Sequence, residues 1–157
     1  MKQVTRPATS NDASVMRPML CAYQEYIGQF SGSVDPHREL ENAWFEKPGL
    51  LFPFLIVEDE RPVGILLLMG RAYAEACGAE VDYYINDLFV IPDARGSGTA
   101  AKAVTEVLQR FQGTWGLEVL QENRAALGFW KKNLPGIATD LEIGGPRDQL
   151  WYFRFST

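Results

Sequence analysis

Apolar positions recur along this chain with two periods, and the switches between them outline the fold. Residues 3–6 read as a short opening strand. Ser10 or Asn11 caps a helix that runs to about residue 27, with Met16, Leu20, Tyr23 and Ile27 on one face. Pro18 falls inside that helix and predicts a kink or a late start. A loop over 28–33 follows. Asp35-Pro36 then opens a second helix through about residue 46, with Leu40, Ala43 and Trp44 inward, and Pro48-Gly49 ends it.

Strands over 54–58 and 63–69 are joined by Asp59-Glu60-Arg61-Pro62, a hairpin turn. The run ILLLM has no polar alternation, which predicts a central strand covered on both faces. A loop over 75–79 surrounds Gly78. A long strand over 81–91 runs into a glycine turn and a helix to about residue 112. Its apolar stripe is Ala100, Val104, Val107, Leu108 and Phe111. A strand over 115–120, a helix over 123–132 and strands over 137–143 and 150–155 complete the chain. The pattern is α/β (α+β). About four helices flank a mixed, mostly antiparallel sheet, with one β-α-β step around the glycine turn.

Composition narrows the class. The 157 residues are 46% hydrophobic and 22% charged, as expected for one soluble globular domain with a sizeable core. The longest apolar runs, 50–57 and 63–69, are too short to span a bilayer, and MKQVTRPATSND has no apolar secretion segment. Cys21 and Cys77 form neither a disulfide framework nor a metal-binding spacing, so a reducing cytoplasm and no metal are expected. Cys21 reads as a small core residue and Cys77 as an exposed loop residue. A net charge of −5 argues against nucleic-acid binding and is compatible with a cationic acceptor.

The candidate chemistry lies in INDLFVIPDARGSGTAA. Gly96 and Gly98 lack the Cβ atoms that would keep an anion from the backbone. A helix starts there, so unpaired N–H groups and a positive dipole end face the same spot, an arrangement that binds phosphate or pyrophosphate. Arg95 adds fixed positive charge. A P-loop would need Gly-Lys-Ser/Thr, but Gly98 precedes Thr99-Ala100-Ala101. A dinucleotide fingerprint is closer, with Gly96-x-Gly98-x-x-Ala101 and Glu118 about twenty residues on. Against it, Pro92-Asp93-Ala94-Arg95 separate strand from turn, and too little chain follows for a doubly wound sheet.

Arg95-Gly96-Ser97-Gly98-Thr99-Ala100 matches the Q/R-x-x-G-x-G/A signature, and the chain resembles the GNAT superfamily of acyl-CoA-dependent N-acyltransferases. LFVIPDARGSG is similar to that family's L-x-V-x-P-x-x-R-G-x-G strand and turn. Asn123, Ala126, Phe129 and Trp130 resemble its N-x-x-A-x-x-F-Y pattern, and FLIVEDERPVGILLL resembles the preceding strand pair.

The resemblance implies one GNAT-like domain over 1–157 that binds acetyl-CoA between splayed strands. Backbone N–H groups of residues 96–100 and Arg95 would take the pyrophosphate. Pantetheine would lie between the strand carrying Leu88, Phe89 and Val90 and the strand over 115–120, pairing like an added strand. Asn123 would contact the CoA arm, beside Ala126, Phe129 and Trp130. An N–H near Phe89 or Val90 would polarise the thioester carbonyl. An amine of a small molecule or peptide would then attack. Asp82, Asp87 and Glu118 are the candidate bases, Asp87 ranking first as nearest the expected thioester. The family's thiolate-protonating tyrosine is Trp130 here, and indole is no usable acid near neutral pH. Tyr83, Tyr84 and Tyr152 are substitutes, with Tyr84 taken forward. A non-catalytic acyl-CoA-binding or regulatory module is the alternative.

Plainer roles stand beside these. Asn123 also suits a helix N-cap. Phe129 and Trp130 suit wall and core, and His37 suits the surface. The loop over 30–36 resembles the family's variable acceptor wall. Asp35, Glu39 and Glu41 either attract an amine or face water. Trp151-Tyr152-Phe153 is a candidate for pairing or packing with a second subunit in a homodimer.

Overall fold

Among the described residues, seven strands form a single sheet in the order β1-β2-β3-β4-β5-β7-β6. The computed structural model describes residues 2–30 and 40–157. The strands are β1 (Thr5–Pro7), β2 (Leu51–Glu58), β3 (Arg61–Gly70), β4 (Tyr83–Val90), β5 (Thr114–Leu120), β6 (Thr139–Arg147) and β7 (Leu150–Ser156). The helices are α1 (Ala13–Gly28), α2 (Ala43–Glu46), α3 (Arg71–Ala76), α4 (Thr99–Arg110) and α5 (Arg124–Asn133). Every neighbouring pair is antiparallel except β4 and β5, which run parallel. The architecture is thus the mixed α/β, mostly antiparallel one that the pattern predicts.

The hydrophobic pattern explains the layers. From residue 63 onward β3 is wholly buried, as its unbroken apolar run requires. On one face, Val104, Val107 and Leu108 of α4 and Trp130 of α5 pack against Leu66, Leu68, Ile85, Leu117 and Val119. On the other, Met16, Met19 and Leu20 of α1 pack against Leu55, Ile65, Leu67 and Phe89. Each large side chain so buried contributes about 1.5–3 kcal/mol. The β2–β3 hairpin closes on Asp59 and Glu60, both at positive φ (48° and 68°), whose twist matches that of the strands.

One irregularity matters for function. Leu67 pairs with Asp87 but Leu68 pairs with Ile85, so Asn86 is an extra residue in β4. The bulge leaves Ile85 in the core beneath α4 and turns Asp87, like Phe89, to the face covered by α1.

Several expectations change. Residues 71–76 form α3, so there are five α-helices among the described residues rather than four. The segment RAYAEA is rich in helix formers and is tied by Arg71 to Glu75 at 2.7 Å. α1 continues across Pro18 after a 3₁₀ turn at Ser10–Asp12. Cys21 is exposed, one residue round the helix from buried Leu20, and is not a core residue; Cys77 is exposed as expected. β7 lies between β5 and β6 with both edges taken, so it has no edge to pair with a second copy. The expected helix start at Asp35-Pro36, the loop over 31–36, His37 and Glu39 lie outside the described residues. No helix among the described residues is long and apolar enough to cross a membrane.

Candidate functional site

The parallel junction of β4 and β5 holds for only two residue pairs, Tyr83 with Trp115 and Tyr84 with Gly116. Beyond them the strands diverge. Each is held by its outer neighbour, β4 by β3 and β5 by β7, so the inner edges of residues 85–90 and 117–120 face one another without a ladder. Between them opens a cleft of about 810 Å³. Unpaired strand edges in such a gap offer N–H and C=O groups to an extended, amide-bearing ligand.

At one end of the cleft lies the glycine turn. Gly96 and Gly98 have φ of 88° and 83°, in the left-handed region that glycine adopts without strain. Among the described residues, no heavy atom beyond the chain neighbours lies within 4 Å of where a Cβ would sit on either, so the turn has an open cradle on its outer side. α4 begins at Thr99, and its first N–H groups have no intrahelical partner. An anion placed here meets backbone donors and the positive end of the helix dipole.

The side chains around the turn are tightly engaged. The Arg95 Nε–H donates to the Val90 carbonyl at 2.7 Å, and its guanidinium stacks on Tyr26 (5.5 Å) and Phe89 (5.3 Å). Arg95 therefore links α1, the end of β4 and the turn while lining the cleft. The Thr99 hydroxyl donates to Glu58 Oε2 at 2.8 Å, and the Ser97 hydroxyl lies 2.9 Å from that of Thr99. Ser97 also donates to the Ala94 carbonyl at 3.2 Å, and it is not among the residues that line the cleft.

Of the residues singled out from sequence, Tyr84, Asp87, Leu88, Phe89, Val90, Arg95, Gly96, Gly98, Thr99 and Ala100 line the cleft. On the α5 side so do Asn123, Ala126, Phe129 and Trp130. Asn123 is both N-cap and wall: its Oδ1 accepts the Ala126 N–H at 3.2 Å while the residue is buried in the cleft lining. Trp130 is buried and meets Phe129 edge-on, with ring centroids 5.0 Å apart.

The carboxylates separate clearly. Asp87 is 3% exposed, sits in the cleft and accepts the Asn86 Nδ2–H at 2.8 Å. Glu118 is exposed at the opposite wall. Asp82 is engaged elsewhere. It accepts from the Thr114 backbone N–H (2.9 Å) and from Arg71 (2.9 Å), and these bonds hold its carboxyl below the usual range. Among the tyrosines, Tyr83 is part of the core beside Phe111 and Trp115. Tyr152 lies under the Arg147 guanidinium. Tyr84 lies over Gly116, and burial, followed by the neighbouring Glu118 carboxylate, pushes its hydroxyl far above an ordinary tyrosine.

Gln24 falls outside the apolar periodicity of α1. Gln24 is 2% exposed, lines the cleft and lies on the inward face of α1. Its Nε2 is buried without a hydrogen-bond partner among the described residues. A polar residue one turn beyond Met16 and Leu20 was the available signal. Glu58 carried none, because only the fold brings the end of β2 to the start of α4.

A family model described as the acetyltransferase (GNAT) family matches residues 19–134. No curated protein matches the chain. Among solved structures, PaiA N-acetyltransferase from Thermoplasma acidophilum in complex with coenzyme A is similar at 10% identity. It has a TM-score of 0.69 and full coverage of both chains (100% and 100%). A Bacillus anthracis str. Ames protein provisionally named streptothricin acetyltransferase, solved with acetyl coenzyme A, is 15% identical with a TM-score of 0.67, covering 100% of this chain and 99% of that one. An acetyltransferase from Thermus thermophilus is 17% identical with a TM-score of 0.67, covering 98% and 96%. At these identities the likeness is one of fold.

Proposed function

The chain belongs to the acetyltransferase (GNAT) family, and on that premise we propose that it transfers an acetyl group from acetyl-CoA to a primary amine of a small molecule or peptide. The observation that carries the reading is the two-pair junction of β4 and β5. It opens a cleft whose far end is the glycine turn and the start of α4. Open space at both glycines fits a diphosphate, and the facing strand edges fit a pantetheine arm with two amides. The whole of residues 1–157 acts as one domain in this reading. A cytoplasmic setting is supported by the two free cysteines.

Residues 96–100 hold the diphosphate through backbone N–H groups, with Arg95 as the nearby cation. A backbone N–H near Phe89 or Val90 polarises the thioester carbonyl. Asn123, Ala126, Phe129 and Trp130 form the wall along the CoA arm. A lysine-like amine, with a pKa of about 10.4, arrives mostly protonated. Asp87 takes that proton, directly or through water, as the amine attacks the carbonyl carbon. The C–S bond then breaks and the thiolate leaves. Tyr84, whose proton is firmly held, serves the departing sulfur as a hydrogen-bond donor rather than a full proton donor.

The test is CoA release from acetyl-CoA across a broad panel of amines, read beside calorimetric binding of acetyl-CoA. Turnover with any amine supports the reading. Binding without turnover on every amine marks a non-catalytic acyl-CoA-binding module instead.

A further inference from the structure

Gln24 occupies a place where the described residues supply no partner for its Nε2. Met16, Leu20 and Gln24 lie on successive turns of α1, and the first two pack into the core against β2, β3 and β4. The third position of that stripe carries a primary amide instead of a hydrocarbon. It is 2% exposed, yet its Nε2 meets no acceptor among the described residues. An amide N–H removed from water and left unbonded is the unfavourable state for such a group, and one that native proteins rarely keep. Gln24 also lines the cleft, on the sheet face to which the β4 bulge turns Asp87. Tyr23 and Tyr26 flank it on α1, and their rings lie against Phe89 and Arg95 respectively.

We propose that Gln24 reads the acceptor: its Nε2–H donates to a neutral carbonyl oxygen carried by the amine substrate. The inference rests on the acetyl-transfer reading above and deepens it. A buried donor calls for an acceptor atom on the ligand. The carboxylates of Asp87 and Glu118 line the same cleft, so they attract an ammonium group and repel a second carboxylate. Arg95 has its Nε committed to Val90 and its plane stacked between two rings. The substrate class that satisfies these groups together is an amino-acid amide or a peptide, rather than a polyamine, an alkylamine or a free amino acid.

The experiment compares matched pairs that differ only by the carboxamide: alaninamide and ethylamine, phenylalaninamide and phenethylamine, lysinamide and cadaverine. Wild type is expected to favour an amide over its plain partner at least ten-fold in kcat/KM. Gln24→Met removes the amide at nearly constant volume and should erase that preference through the acceptor KM. The KM for acetyl-CoA should stay within two-fold, and the loss should fall on the amides far more than on the plain amines. Gln24→Glu, which accepts but cannot donate when ionised, should lose the preference equally. The melting temperature of ligand-free Gln24→Met should match or exceed that of wild type, because the Nε2–H that is removed has no partner among the described residues. Equal use of amides and plain amines by wild type overturns the proposal. So does a uniform fall in kcat for every amine in Gln24→Met, which would put the amide on the thioester, or a marked drop in its melting temperature, which would make the amide structural. A preference retained by Gln24→Glu would mean that the side chain accepts from the amine, and it too overturns the proposal. CoA release from no amine at all, in these pairs or the broad panel, instead removes the acetyl-transfer reading and this inference with it.

Discussion

At the scale of single residues, the chemistry turns on where the fold puts its carboxylates. Asp82 is held by Thr114 and Arg71 and does not line the cleft, whereas Asp87 is buried in the cleft lining and accepts from the Asn86 amide. Replacing Asp87 by Asn keeps the shape and removes the base. The rate at pH 7 should fall by about 10²–10⁴-fold, with partial recovery above about pH 9 as more amine arrives unprotonated. Calorimetric affinity for acetyl-CoA should be unchanged; identical pH–rate profiles for variant and wild type would remove Asp87 from the mechanism. Glu58 acts in the opposite sense. Its carboxylate takes the Thr99 hydroxyl at the first turn of α4, where the dipole stabilises it but where a diphosphate would also sit. Glu58→Gln keeps an acceptor for Thr99 and removes the negative charge. Acetyl-CoA should bind about two- to five-fold tighter at low salt, with the gain shrinking as salt screens the repulsion. Isothermal titration at two ionic strengths measures it.

At the scale of elements, the opening of the cleft depends on how β4 and β5 part. The last shared pair sets Tyr84 opposite Gly116, and a Cβ at Gly116 would lie 3.3 Å from the tyrosine ring. Gly116→Ala should shift the Tyr84 ring by a few tenths of an ångström and lower kcat several-fold, while acetyl-CoA affinity stays within two-fold. A kcat equal to wild type would show that Tyr84 tolerates displacement and contributes little. The other fixed point is Asp82, which ties α3 to the start of β5. Its folded-state carboxyl pKa is depressed, chiefly by the Thr114 backbone N–H and then by Arg71. Its stabilisation is therefore present above the unfolded value of about 3.9 and is lost as pH falls through the lower folded value. Asp82→Asn should be less stable at pH 7 by about 1 kcal/mol, below the usual range for a charged hydrogen bond because the carboxylate is 40% exposed. Denaturant titrations should show the gap to wild type closing below about pH 4.

At the scale of the whole molecule, the two helical layers grip opposite faces of one sheet and leave its middle parted. Such a gap forgoes ladder bonds that a ligand can supply. Acetyl-CoA at one hundred times its Kd should stabilise the fold by about 2.7 kcal/mol and raise the melting temperature by roughly 5–10 °C. Differential scanning fluorimetry measures this, and a flat response would mean that the cleft does not hold the thioester.

The sequence by itself determined the order of the strands and of every helix but α3, the central place of β3, and the glycine turn with its arginine, because these are written in local periodicity and in residues with special backbone freedom. It also brought Asn123 and Trp130 into register with the turn through a motif of fixed spacing. Tertiary structure alone decided the rest. The face on which Asp87 lies depends on one bulged residue, Asn86, and a slip of one position reverses a strand's faces whatever its composition. α3 was hidden because six residues are too few to show a period. Glu58 meets Thr99, Arg95 stacks on Tyr26, and the Gln24 Nε2 is buried without a partner among the described residues because distant segments converge on one cleft. Local pattern records what each segment prefers. Which side chains are satisfied, and which are left waiting for a ligand, is set only when the segments pack together.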